Sequence, residues 1–204
     1  MVYLKRGIDT LLLDLIRNLE LNLKCPKPTH KGNFVTVRKA LEGIPQDAYN
    51  NEYKRVSQKV VDRLNHIKPG ENAWTAKLPE ELKLNVKNAK MSQIYKRLHP
   101  DLPSYTITGS GGGGTHGYHF SEPRPLTNRE RARIQTFPDN FEFIGSTESV
   151  RKQIGMAVPP LLAQVIFTAI LDELNNKSYA YINANYEFSN ELNQEPTLFE
   201  YANK

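Results

Sequence analysis

Apolar residues recur at helical spacing in several short stretches of this chain, separated by segments with no sustained period. Residues 8–21 place Leu11, Leu12, Leu15, Ile16 and Leu19 along one side of a helix, although a chain start of this kind also fits a damaged strand. From Cys25 to Gly32 the chain reads as a Pro-rich connector, and Thr36 through Leu41 predicts a short helix ending near Gly43. Residues 53–66 form a second amphipathic pattern on Val56, Val60, Val61 and Leu64, stopped by Pro69-Gly70. Residues 75–120 lack long helical periodicity. They hold one strand-like run, Ser104 to Thr108, which leads into the flexible stretch Gly109 to Gly114.

Beyond the glycines, Thr127-Asn128-Arg129-Glu130 has the form of a capping box, so a helix is expected to start there and to stop before Pro138. Ser149 to Ile154 predicts another short helix. Pro159-Pro160 then opens the most apolar one, about Pro160 to Leu174, because prolines are tolerated in a first turn whose amides have no intrahelical partner. Its wide apolar face needs burial. The tail from Asn175, rich in Asn and Tyr, is expected to be loose, and no repeat period suggests a solenoid.

Composition narrows the class without deciding it. With 204 residues, 39% hydrophobic and 24% charged, the chain fits one soluble domain with appendages. The apolar stretch Val158 to Leu171 is interrupted by Gln164 and Thr168 and is short for a membrane span. One cysteine, Cys25, excludes an internal disulfide and fits a reducing cytoplasm; Asp14 breaks the faint likeness of the N-terminus to an export signal. The net charge of +5 is mildly basic. Much of the excess lies between Lys90 and Arg133, where seven Lys or Arg (Lys90, Lys96, Arg97, Arg124, Arg129, Arg131, Arg133) face three acids. That segment is either a solvated face or a surface that neutralises phosphates.

Two stretches carry a specific resemblance. Arg124-Pro-Leu-Thr-Asn-Arg-Glu-Arg-Ala-Arg-Ile-Gln-Thr-Phe-Pro-Asp-Asn-Phe141 with Gly145-Ser146, and then Gln153-Ile-Gly-Met-Ala-Val-Pro-Pro160, occur in order and at the usual spacing. Together they resemble the ninth and tenth motifs of cytosine-5 DNA methyltransferases. Lys96 to Thr108 and the glycine run look like that family's target-recognition region, and Pro26 to His30 with Val35 to Pro45 like the link after its eighth motif. The resemblance covers about residues 17 to 174. It implies an α+β fold: a small irregular target-recognition domain with short strands, then a C-terminal helix that in the family packs on a Rossmann-like catalytic domain missing from this sequence. The divisions expected are a poorly matched segment 1–24, a linker with short helices 25–74, a recognition domain with the ninth motif 75–145, the tenth motif and helix 146–175, and a flexible tail 176–204.

The resemblance also assigns roles. Thr106 would hold a DNA phosphate with help from Ser104 or Thr108, the plain alternative being an ordinary strand threonine. Gly111, Gly112, Gly113, Gly114, Thr115 and His116 would line the DNA groove, where missing side chains permit close approach. Arg124, Thr127, Arg129 and Glu130 would organise the recognition domain, Glu130 as a cap and Arg129 as an ion-pair or carbonyl partner. Direct phosphate contact by Arg131 or Arg133 competes with their being exposed helix arginines. Gln153, Gly155, Met156, Ala157 and Val158 would border the S-adenosylmethionine pocket, with Met156 where the family often has Asn. His99, His116 and His119 lack carboxylate or thiol company, so no metal is expected.

What is missing matters equally. Attack on carbon 6 of cytosine needs a thiolate and an acid near N3, which the family takes from Pro-Cys-Gln and Glu-Asn-Val. Neither occurs here: Cys25 precedes Pro26, and Glu71-Asn72-Ala73-Trp74 falls after the linker and reads as structural. No catalytic residue is therefore expected in this sequence, nor cofactor binding without a catalytic domain or partner chain. Three readings follow: one subunit of a split methyltransferase acting on double-stranded DNA with a partner polypeptide, a truncated remnant, or a stand-alone DNA-binding module.

Overall fold

The computed structural model describes residues 24–85, 92–109 and 114–182. In chain order its elements are β1 Cys25–Pro26, α1 Val37–Leu41, α2 Gln58–Asn65, a single 3₁₀ turn Glu80–Leu82, α3 Asn128–Ile134, α4 Thr147–Met156, α5 Pro160–Leu174 and β2 Tyr181–Ile182. The class is α+β, with short strands and much irregular backbone. The expected helix over 8–21 and the far end of the tail lie outside the described residues.

Local chemistry explains most of the helix starts. Thr36 caps α1, its Oγ1 accepting from Lys39 N at 3.3 Å, and Ser146 caps α4 in the same way from Ser149 N. The α4 helix is thus longer at both ends than the expected Ser149 to Ile154. The α2 helix is shorter than expected, because Ser57 stands at its N-cap and the residues before it run without helical bonds. Tyr53, counted into that helix by its spacing, instead lies under the Arg124 guanidinium at 4.5 Å.

The chain divides into two compact units, residues 29–164 and residues 1–28 with 165–204. The second holds the only ladder among the described residues: β1 and β2 pair antiparallel, Cys25 opposite Ile182 and Pro26 opposite Tyr181. The Tyr179 hydroxyl donates to Lys24 O at 2.9 Å, and Lys27 N donates to Ala180 O at 2.9 Å. The connector and the start of the tail, expected to be irregular and loose, are therefore tied to each other.

The larger unit has two apolar clusters. One joins Val37, Leu98, Ile107, Leu126, Ala132, Phe143, Val150 and Ile154; the other joins Leu64, Ile67, Ala73, Tyr95 and Tyr118. Each large side chain buried this way contributes about 1.5–3 kcal/mol. Helix α3 packs against α1 and α4. Its first residues, Asn128 through Ala132, are all buried, so this polar helix has no solvent face over its first turn. Thr147–Leu174 is the one stretch among the described residues with the length and apolarity of a membrane span, and it is broken between Met156 and Pro160. Most of α5 is exposed, including Leu161, Leu162, Val165, Phe167, Leu171 and Leu174.

Candidate nucleic-acid interface

The N-terminus of α3 is a polar hub. Thr127 Oγ1 accepts from Glu130 N at 3.0 Å, while Glu130 Oε2 accepts from Thr127 N at 2.8 Å, completing the capping box. Glu130 also takes two hydrogen bonds from the Arg124 guanidinium, at 2.8 and 2.7 Å, and Arg124 reaches Glu122 at 2.7 Å. Burial alone would lower the Arg124 pKa, but the bonds to Glu130 and Glu122 outweigh it and hold the guanidinium firmly charged.

Arg129, wholly buried, donates to the carbonyls of Tyr49 at 2.8 Å, Pro138 at 2.9 Å and Phe141. Asn50 completes this side, its side chain exchanging 3.0 Å bonds with the Phe143 amide and carbonyl. Four residues matched to the ninth motif thus tie α3 to segments up to 80 positions away.

The segment Ser104 to Thr108, expected to be a strand, is not part of a sheet: no ladder bond joins it among the described residues. It keeps the alternation of a strand, with Ile107 buried and Thr106 and Thr108 exposed, and the Ser104 Oγ donates to Tyr105 O at 2.8 Å. Packing against α4 takes the place of strand pairing. A Cβ on Gly155 would lie 1.9 Å from Gly109 N, and one on Gly109 would lie 2.8 Å from Lys152 O, so the two backbones meet where no side chain fits. At the far end of the glycine run, Tyr95 N donates to Gly114 O at 2.7 Å. Gly114 has φ +111°, and a Cβ there would strike the Tyr95 ring at 2.8 Å. The run is therefore held at both ends, while Gly111, Gly112 and Gly113 lie outside the described residues.

The basic excess of this region is not the open surface its sequence suggested. Arg97 is buried and donates to four carbonyls, those of His119, Leu64, Ile67 and Phe120, at 2.7–3.1 Å. Arg129 is buried too, and Arg124 and Arg133 are paired with Glu130 and Asp139. Arg131, 4% exposed, donates to His116 O. Burial, and then the neighbouring Arg151, push its pKa down to about 10. Arg151 NH1 lies 2.9 Å from His116 Nδ1, which must accept there and so carry its proton on Nε2. Burial first, and then Arg151, Arg131 and Lys54, depress the His116 pKa to about 4. Sequence reading missed Arg97 and Arg151, because neither has a local motif and their partners are 22 to 35 positions distant.

The residues matched to the tenth motif do varied work. Gln153 Nε2 donates to Ile144 O at 3.0 Å and to Ser149 Oγ at 3.2 Å, and Gly155 meets Gly109. Met156 and Val158 are 53% and 60% exposed, with Ala157 partly buried between them. These five residues offer an apolar edge, and Gln153, their one polar side chain, is already engaged.

Cys25 is exposed, its Sγ 3.8 Å from Pro26 O. Asn72 builds a turn, its Oδ1 accepting from Trp74 N at 2.8 Å and Thr75 N at 3.1 Å, and Glu71 accepts from Lys68 N at 3.1 Å. His119 Nδ1 accepts from the amides of Ser121 and Glu122, and His99 Nδ1 from that of Asp101. Among the described residues no three His, Cys, Asp or Glu side chains come together as a metal site.

The chain is similar to known proteins. The family described as C-5 cytosine-specific DNA methylase matches residues 13–172. The chain is 57% identical over 178 residues to the type II methyltransferase M.BbvI of Brevibacillus brevis, covering 87% of this chain and 48% of the relative. It is 49% identical over 142 residues to the type II methyltransferase M.NgoFVII of Neisseria gonorrhoeae, covering 66% of this chain and 37% of the relative. The chain thus spans half or less of the length of these relatives. A crystal structure described as a DNA modification methyltransferase encoded within a prophage (E. coli) superposes with a TM-score of 0.54 over 78% of this chain and 53% of that one, at 22% identity.

Proposed function

Since the chain belongs to the C-5 cytosine-specific DNA methylase family, we propose that it supplies the target-recognition part of a DNA (cytosine-5-)-methyltransferase in a cytoplasmic restriction-modification or related system. In this reading it contributes duplex recognition and one edge of the S-adenosylmethionine pocket. The observation that carries it is the recognition segment: exposed Thr106 and Thr108 lie beside a glycine run whose ends are fixed by Gly155 and Tyr95. Hydroxyls on fixed backbone position a phosphate without reading sequence, and bare backbone approaches the groove closely.

Methyl transfer itself needs a thiolate and an acid. Neither Pro-Cys-Gln nor Glu-Asn-Val occurs in these 204 residues, so this part acts with a polypeptide that carries them. The exposed apolar side of α5, with Met156 and Val158, suits such a partner: patches of this kind mark interaction surfaces. No chemical step is assigned to the residues of this chain.

Two measurements test the reading. The purified chain should bind a 30-base-pair duplex at low salt with a Kd on the order of 10⁻⁵ M, weakening as salt rises. With labelled S-adenosylmethionine it should incorporate no methyl group until a polypeptide bearing the missing motifs is added. Methylation by the chain alone would overturn the division of labour, and failure to bind duplex at low salt would overturn the DNA role.

A further inference from the structure

We propose that the cavity between the recognition segment and the turn at Thr115 to Gly117 is a phosphate site, its positive charge supplied by Arg131 with Arg151 behind it. The source of the phosphate, a DNA backbone, rests on the reading above; the site itself rests on the following geometry.

The cavity has a volume of about 210 Å³ and is lined by Gln93, Thr106, Thr108, Thr115, His116 and Arg131 among others, with no carboxylate among the described residues of its wall. Such a volume holds a phosphate group and accompanying water. Arg131 has a carbonyl on one side and a second guanidinium on the other. The carboxylates nearby are engaged elsewhere: Glu130 is taken up by Arg124, and Glu148 pairs with Arg151 from the surface at 3.6 Å. Arg131 itself, 4% exposed, has no ion-pair partner among the described residues, and a buried cation without a counterion is costly.

Two polar atoms reinforce the imbalance. Arg151 Nε is buried with no hydrogen-bond partner, and so is Oε1 of Gln93 in the cavity wall. Rotation of the Gln93 amide presents its NH₂ group at the same point. An anion in the cavity would accept from Arg131 and from Gln93, beside Thr106, and would balance the Arg131 charge. Burial first, and then the field of Arg151 and Arg131, holds His116 neutral next to it.

The test uses the purified chain, inorganic phosphate and a 30-base-pair duplex, with chloride at equal ionic strength as control. Phosphate should raise the melting temperature and shift the His116 ring resonances, and both responses should vanish in Arg131→Met. In the absence of phosphate that variant should be as stable as the parent or more so, whereas an arginine held only for structure would leave a weaker fold. Gln93→Glu provides its own anion, so it should raise stability and abolish the phosphate response. A Gln93→Glu chain that is destabilised, or that still responds to phosphate, overturns the site.

Duplex binding separates the two claims. If the parent binds duplex, its salt slope should fall by about one in Arg131→Met. Duplex binding with an unchanged slope and no phosphate response sinks this site and leaves the DNA role standing. A phosphate response without duplex binding keeps the site, assigns it to free phosphate and sinks the DNA role.

Discussion

Arg129 and Arg131 stand two residues apart on α3 and leave it on opposite sides, since two positions turn a helix by about 200°. Both are buried, but they differ in their partners. Arg129 spends its guanidinium on three carbonyls from the Tyr49 to Phe141 side of the fold. Arg131 meets one carbonyl, a second arginine and a cavity. The difference separates an arginine that completes a fold from one that borders a cavity, where the proposed phosphate would sit. Burial alone does not tell the two apart; the tally of acceptors does.

The sharpest way to break the comparison is Arg129→Met. It removes the shared donor of three part-buried carbonyls, each loss costing on the order of 1 kcal/mol, so the urea midpoint should fall by the equivalent of about 3 kcal/mol. A midpoint near the parent's would mean that both sides of α3 tolerate loss equally. A smaller effect is expected from Gly155→Ala, which strikes only the Arg131 side by forcing α4 away from Gly109. Overpacking of this kind costs about 1–3 kcal/mol, and the shift should show in the amide resonances of Gly109 and Thr108 before those of Asn50 or Phe143. If the Asn50 side moves first, the two sides are not independent.

The mildest probe is pH. His116 titrates at about 4 in the fold against about 6.5 when unfolded, so as pH drops below 6.5 the unfolded chain takes up the proton first and stability falls. His119, lowered by burial, adds a contribution of the same sign. His116→Asn keeps an acceptor for Arg151, and between about pH 7 and 4.5 its stability should decline less steeply than the parent's. Equal slopes would show that neither burial nor the field of the arginines disfavours protonation of the ring.

What was legible in the sequence was local. The capping box of Thr127 and Glu130 lies three residues apart and could be read directly, as could the prolines that open α5. Ser104 to Thr108 reads as strand-like, and the segment does alternate, with Ile107 buried and Thr106 exposed, although it joins no sheet among the described residues. What could not be read was the neighbour that segment packs on, because the close approach of Gly155 joins residues 46 positions apart and glycine announces no partner. Charge misled for a similar reason: a count of arginines cannot say that Arg97 and Arg129 end on buried carbonyls rather than on a surface. The helix start at Ser57 was missed because Val56 kept the apolar spacing while Ser57 took the N-cap.

The backbone contact of Gly109 with Gly155 carries a consequence for inheritance. Under the proposed function, residues 92–120 are the segment one would exchange between relatives to alter the site read. Here a graft confined to residues 92–120 would bring its own loop onto a foreign α4, and any donor with a side chain at either meeting point would not seat. Productive recombination should carry Thr147–Met156 together with the loop, so that two stretches separated along the gene travel as one heritable block.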